Sequence, residues 1–142
     1  MISLTQNATR YVSKLSNKLR RKLDMLSSRK EFSGSQGRTL HFLLSQTDDI
    51  FQKDIEEEYS IRPSTATELL KQMEKNGLIV REPVAYDNRL KKIVVTDKAL
   101  RYQRQVVEDL TSLEEALVKV ISEDDFEIFF HVIEKMMDNL SE

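Results

Sequence analysis

Two clusters in this sequence combine residue types that could hold or read a charged polymer. Between Pro63 and Lys75 stand Ser64, Thr65, Thr67, Glu68, Lys71, Gln72 and Lys75. If this stretch is a helix with Ala66, Leu69, Leu70 and Met73 on its buried face, Ser64, Thr65, Glu68, Lys71 and Gln72 lie opposite, with Thr67 on the flank. Short hydroxyl side chains allow close approach of a backbone, and the N–H groups of a helix N-terminus favour a phosphate. Lys71 and Lys75 suit phosphates, while Ser64, Thr65, Thr67 and Gln72 suit base edges. Glu68 opposes such a role unless it accepts from a cytosine amine or pairs with Lys71 or Gln72. The second cluster is Asp87, Arg89, Lys91 and Lys92. An arginine on an exposed hairpin tip matches a narrow minor groove, where the negative potential is deepest. Asp87 is spaced to hold the Arg89 guanidinium or to cap the turn. Each cluster alone also fits a capped or solvated surface, so their order along the chain has to decide.

Other chemistries find little support. The sequence contains no cysteine, which excludes disulfides, thiolate metal sites and thiol redox sensing. His41 and His131 stand singly beside apolar residues and form no metal-ligand pair, so no metal is expected. No glycine-rich phosphate loop, nucleophile elbow or base–nucleophile spacing is present, and Glu123-Asp124-Asp125 reads as a helix start. The expectation is a protein that is not an enzyme and carries no cofactor. No apolar run reaches 18 residues, and Met1 to Arg10 lack an apolar leader block. These features predict no membrane partner and a cytoplasmic location.

The formal net charge of −2 argues against a polyanion partner only if it is evenly spread. It is not. Arg10, Lys14, Lys18, Arg20, Arg21, Lys22, Arg29 and Lys30 face only Asp24, whereas beyond Glu108 the only cations are Lys119 and Lys135.

The elements that must position the two clusters follow from periodicity. Leu4, Ala8, Val12, Leu15, Leu19, Leu23 and Leu26 step by three or four, giving a first amphipathic helix. Ser27 to Gly34 reads as a loop, and Leu40, Leu43 and Leu44 face inward on a second helix. Asp48 or Asp49 is placed to cap a short third helix that buries Ile55 and Tyr59. After Ser60-Ile61-Arg62, Pro63 opens the fourth helix, which stops at a left-handed Asn76-Gly77 cap. Strand-like runs at 78–81 and 93–95 enclose a tip at 86–89. Thr96 or Asp97 caps a long helix whose Val106, Leu110, Leu113, Leu117 and Val120 keep coiled-coil spacing. A last helix carries Phe126, Phe129, Phe130, Ile133, Met136, Met137 and Leu140. The fold class is mainly α with a small β-hairpin wing: a winged helix-turn-helix with flanking helices.

The run from Ser64 to Ile79, followed by Arg81, resembles the recognition helix and first wing strand of MarR-type regulators. Asp87-Asn88-Arg89 and then Ile93-Val94-Val95-Thr96 resemble that family's Asp-x-Arg wing, although Val95 replaces the usual Leu and the wing has no glycine. The resemblance covers nearly the whole chain. It implies one MarR-like domain over 1–142, with a DNA-binding lobe at 33–100 and dimerisation helices at 1–30 and 101–142. It further implies a homodimer reading a pseudo-palindromic operator on double-stranded DNA, and small phenolic or aromatic anions as effectors. Tyr11, Lys14, Arg38 and His41 are the effector candidates by analogy. The apolar stripes of the flanking helices independently exceed what one winged-helix core needs. The competing reading is a helical protein–protein interaction module that ignores DNA.

Overall fold

The computed structural model describes residues 2–26 and 32–141. The element order is α1 (Ala8–Leu26), α2 (Gly34–Leu44), α3 (Gln52–Tyr59), α4 (Pro63–Lys75), β1 (Ile79–Val84), β2 (Asp87–Val95), α5 (Asp97–Leu100), α6 (Gln103–Leu117) and α7 (Glu123–Asn139). The chain divides into two compact units, 1–111 and 112–142, with the boundary inside α6. Of the loop expected at Ser27 to Gly34, residues 27–31 lie outside the described residues.

Unit 1 is built on one apolar core. Leu40, Ile55, Ala66, Leu70, Met73 and Leu78 are fully buried, and Phe32, Leu43, Ile79, Ile93, Ala99 and Val106 join them. Tyr59 and Leu69 pack on this core from its edge. Three local decisions aim α4. Ser60 adopts a left-handed conformation (φ 50°) that ends α3. Pro63 occupies the first turn of α4, where a missing N–H leaves no helical bond unmade. Gly77 (φ 73°) then turns the chain into β1, as the left-handed cap required. The antiparallel strands β1 and β2 pair from Ile79↔Val95 to Pro83↔Lys91, and the wing root is pinned by Ile93 N–H donating to the Ile50 carbonyl at 2.8 Å.

Unit 2 holds the end of α6 and all of α7, capped by Ser122, whose hydroxyl accepts from the Asp125 N–H. No residue of α7 is buried.

Several expected boundaries shift. The first helix starts at Ala8, not Leu4: Asn7 caps it through the Arg10 N–H (2.9 Å), and Leu4 lies outside it and exposed. Neither Asp48 nor Asp49 caps α3. Phe51 is the N-cap residue, and Asp54 in the first turn accepts its N–H at 2.8 Å, doing the same work from the opposite side. Thr96 takes the next cap, but a turn at Arg101-Tyr102 splits the single long helix into α5 and α6. The α6 seam stops at Leu117. Val120 has a positive φ (60°) and is 98% exposed, so the chain has left the helix before the last seam position.

Candidate nucleic-acid interface

α3 and α4 meet through three residues, and the N-terminus of α4 is bare. Arg62 is its N-cap residue, extended and exposed, and contributes no side-chain cap. The first-turn N–H groups are therefore available to an anion. Ser64, Thr65, Glu68, Lys71, Gln72 and Lys75 are all exposed, as is Pro63. Arg62 escaped the sequence reading, although a cation adjoining a helix start was a usable signal.

Glu68 is neutralised as a hydrogen-bond partner by Gln72, whose amide donates to Glu68 Oε1 at 3.0 Å. That is one of the two pairings the spacing allowed. Thr67 departs from the expected base-reading role. It is half-buried, donates its hydroxyl to the Pro63 carbonyl at 2.9 Å, and accepts from Gln52 Nε2 at 2.9 Å. The flank position expected for it holds, but its hydroxyl is spent inside the protein.

The wing differs from expectation in its tip. The turn is Ala85-Tyr86, one step earlier than the polar tip at 86–89. Pairing jumps from Pro83↔Lys91 to Val84↔Asp87, so Asn88, Arg89 and Leu90 have no partner on β1 and form a wide bulge. Pro83, which has no N–H to give to a ladder, sits at its edge. The bulge supplies what glycine would otherwise supply: neither Ala85 nor Tyr86 needs a positive φ. Asp87 and Arg89 thus stand beside the turn on β2. Asp87 Oδ1 accepts from the Arg89 N–H at 2.9 Å and lies 3.4 Å from Arg89 Nε. The Arg89 side chain remains 91% exposed, so the pairing orients the guanidinium without hiding it. Lys91 is exposed on the next turn of strand, and Tyr86 projects from the apex, 72% exposed.

The four effector candidates separate. Arg38 on α2 borders three cavities, all within unit 1. One, lined by Leu23, Phe32, Gly37 and Val106 among others, offers only about 20 Å³, room for a water. A second, of about 290 Å³, is walled by Ser35, Arg38, Thr39, Tyr59 and Ile61 and, from α4, by Thr65, Glu68 and Leu69. The third is a broader hollow where His41 joins Arg38. The Arg38 guanidinium lies over the Tyr59 ring at 5.7 Å, and its buried Nε has no hydrogen-bond partner. Burial pushes the Tyr59 phenol above its usual value of 10.0, against the lowering effects of a Thr39 hydrogen bond and the Arg38 charge, with Glu58 raising it further. Tyr11 and Lys14 stand together on α1, Lys14 Nζ 6.0 Å from the Tyr11 ring centre, and line none of these three cavities. Among the described residues no cluster of three metal-ligating side chains occurs, and no helix is long and apolar enough to cross a membrane.

Residues 31–90 match the family model for the MarR family. The structure resembles the MepR–DNA complex of S. aureus, with a TM-score of 0.86 at 26% identity over 95% of this chain and 99% of that one. It also resembles the transcription regulator MarR of Oenococcus oeni PSU-1 (TM-score 0.82, 23% identity, 93% and 99% covered). A Listeria monocytogenes protein assigned to the same family and solved with a 26mer DNA gives a TM-score of 0.83 at 17% identity, with 95% and 89% covered. At 23% and 17% identity these last two speak for the fold alone.

Proposed function

We propose that this chain, whose residues 31–90 match the MarR family model and whose fold resembles that of MepR, is a homodimeric transcription regulator, a repressor, reading a pseudo-palindromic operator with the helix at 63–76 and the wing at 82–92. The observation that carries the reading is the pairing of two exposed polar surfaces on one compact unit. The bare N-terminus of α4 is flanked by Ser64, Thr65, Lys71 and Gln72, and the bulged wing presents Arg89 oriented by Asp87. An α-helix fits the major groove, about 12 Å wide, and a wing arginine fits the adjacent minor groove. Ser64, Thr65 and Gln72 serve as base readers, with Gln72 exchanging its bond to Glu68 for a base edge. Arg62, Lys71, Lys75 and Lys91 serve as phosphate contacts.

Homodimerisation is supported by the unburied apolar side chains of α1 (Tyr11, Val12, Leu15) and of α7 (Ile128, Phe129, Phe130, Met137). A second copy is the occupant that two-fold recognition of paired half-sites requires. Release by a small aromatic anion is supported by the 290 Å³ cavity, whose wall carries the Arg38 cation beside the Tyr59 ring and includes Thr65, Glu68 and Leu69 of α4, so that an occupant would touch the DNA-reading helix.

The test is selection of bound duplexes from a random pool by the intact protein, repeated with salicylate present. The expected result is enrichment of a palindrome with half-sites about one helical turn apart, weakened by the anion. Binding that shows no enrichment and ignores salt would overturn the reading in favour of a protein-interaction module, since phosphate contacts release counterions.

A further inference from the structure

Gln52, on α3, is half-buried, and its amide is the junction of α3, α4 and the first wing strand. Nε2 donates to Thr67 Oγ1 on α4 at 2.9 Å, with the Pro63 carbonyl and Glu56 Oε2 each at 3.3 Å. Oε1 faces Arg81 Nη1 on β1 at 3.5 Å. Arg81 in turn sets its Nε 3.0 Å from Glu74 Oε1, back on α4. That contact is coulombic rather than hydrogen-bonded, because the buried Nε–H is not directed at the carboxylate.

The bond directions are determined by the network. Thr67 gives its only hydrogen to the Pro63 carbonyl, so its oxygen must accept from Gln52. Reversing the Gln52 amide would aim its NH2 group at the Arg81 guanidinium and its carbonyl oxygen at the Pro63 oxygen. Thr67 and Glu74 lie seven residues apart on one helix flank, two turns or about 10 Å along the axis. α4 is therefore gripped at two points, by α3 through Gln52 and by the first wing strand through Arg81.

We propose that Gln52 is a specificity-determining positioning residue: with Arg81 it fixes the rotation of α4 against the wing, so that base readers and Arg89 engage adjacent grooves together. This rests on the DNA-reading function proposed above. Its consequence separates two kinds of contact. Phosphate attraction tolerates a small rotation of α4, whereas hydrogen bonds to base edges do not. Losing the junction lowers discrimination between sequences and leaves general affinity in place. Thr67 acts through Gln52 rather than on a base.

The experiment compares wild type, Gln52→Ala, Thr67→Val, Thr67→Ser and the Gln52→Ala/Thr67→Val double variant. Affinity is measured for the duplex that wild type selects from a random pool and for a scrambled duplex of equal length, alongside salt dependence and thermal midpoint. Gln52→Ala is expected to weaken the selected duplex on the order of tenfold, about one well-formed base contact, and the scrambled duplex less than twofold. The salt slope should stay unchanged. Thr67→Val should match it, Thr67→Ser should retain wild-type discrimination, and the double variant should lose no more than either single one. An equal loss on both duplexes, or none, would overturn the assignment. So would a Thr67→Val defect confined to one base pair that Gln52→Ala does not share, since Thr67 would then read that base itself. If wild type selects no duplex, the DNA-reading function fails first, which is a different result from a selected duplex with indifferent variants.

Discussion

The winged lobe and the C-terminal unit both carry large apolar side chains but place them differently. In the lobe, Leu40, Ile55, Leu70, Met73 and Leu78 are sealed inside, and the exposed surface is polar on α4 and cationic on the wing. In 112–142, Phe129 and Phe130 meet edge to face at 5.5 Å yet remain 41% and 54% exposed, and nothing on α7 is buried. The lobe has its core within itself, whereas α7 keeps an unburied apolar face. The same substitution chemistry should therefore register as lost folding in one region and lost assembly in the other.

The largest expected effect breaks the comparison from the C-terminal side. Phe129→Asp with Phe130→Asp removes apolar surface that is already accessible in a single chain, so the lobe should stay folded while the proposed dimer dissociates. Binding to a two-half-site duplex then loses its linkage, a drop on the order of 10²–10⁴-fold. Sedimentation equilibrium and duplex anisotropy check this together. A double variant that remains dimeric would mean that α7 is not the assembly face.

Leu70→Ala tests the other side. Leu70 is fully buried, and truncation should cost roughly 2–5 kcal/mol of stability, depending on how far the site collapses. Chemical denaturation should show the loss without any change in subunit association at concentrations where the variant is folded. A shift in association as well would join the two regions more closely than their separate packing suggests.

Arg89→Ala probes the lobe's surface rather than its core. With the guanidinium exposed and merely oriented by Asp87, stability should hold within about 0.5 kcal/mol. Affinity for every duplex should fall, about tenfold, and the salt slope should decrease by about one counterion. A variant that weakens only the selected duplex would reassign Arg89 from groove cation to base reader.

How much of this was legible in sequence divides along the same line. Pro63, Gly77 and the period of Ala66, Leu70 and Met73 defined α4 because each is a local rule with one backbone outcome. The turn at 85–86 was misplaced by a residue because its shape comes from a bulge opposite Pro83, a property of strand register that no single segment carries. Thr67 read as a base contact because its spacing puts it on the helix flank. Only a partner 15 residues away, Gln52, claims its hydroxyl. The α3 cap was assigned to Asp48 or Asp49 because an acid before a helix is the usual signal. Here Asp54 inside the first turn reaches back to Phe51 instead. Arg38 and His41, three residues apart on α2, share a hollow whose other walls come from α3 and α6 and so lie beyond periodicity, while Tyr11 and Lys14 are neighbours on a helix surface outside it.

The smallest effect sharpens the boundary within the lobe itself, at Tyr59. Its phenol is held above the usual value mainly by burial, so the folded state resists ionisation more than the unfolded chain does. The sign follows: this neutral phenol contributes fully below the unfolded value near 10, and the contribution is lost as pH rises through the folded value. Stability should thus decline on the alkaline side above about pH 10, and Tyr59→Phe should flatten that decline while leaving stability at neutral pH nearly unchanged. Urea midpoints at neutral and alkaline pH measure both arms. An alkaline limb of unchanged steepness in Tyr59→Phe would show that another group governs it, and would remove burial of this ring as the reason Arg38 lies over a neutral rather than an ionised partner.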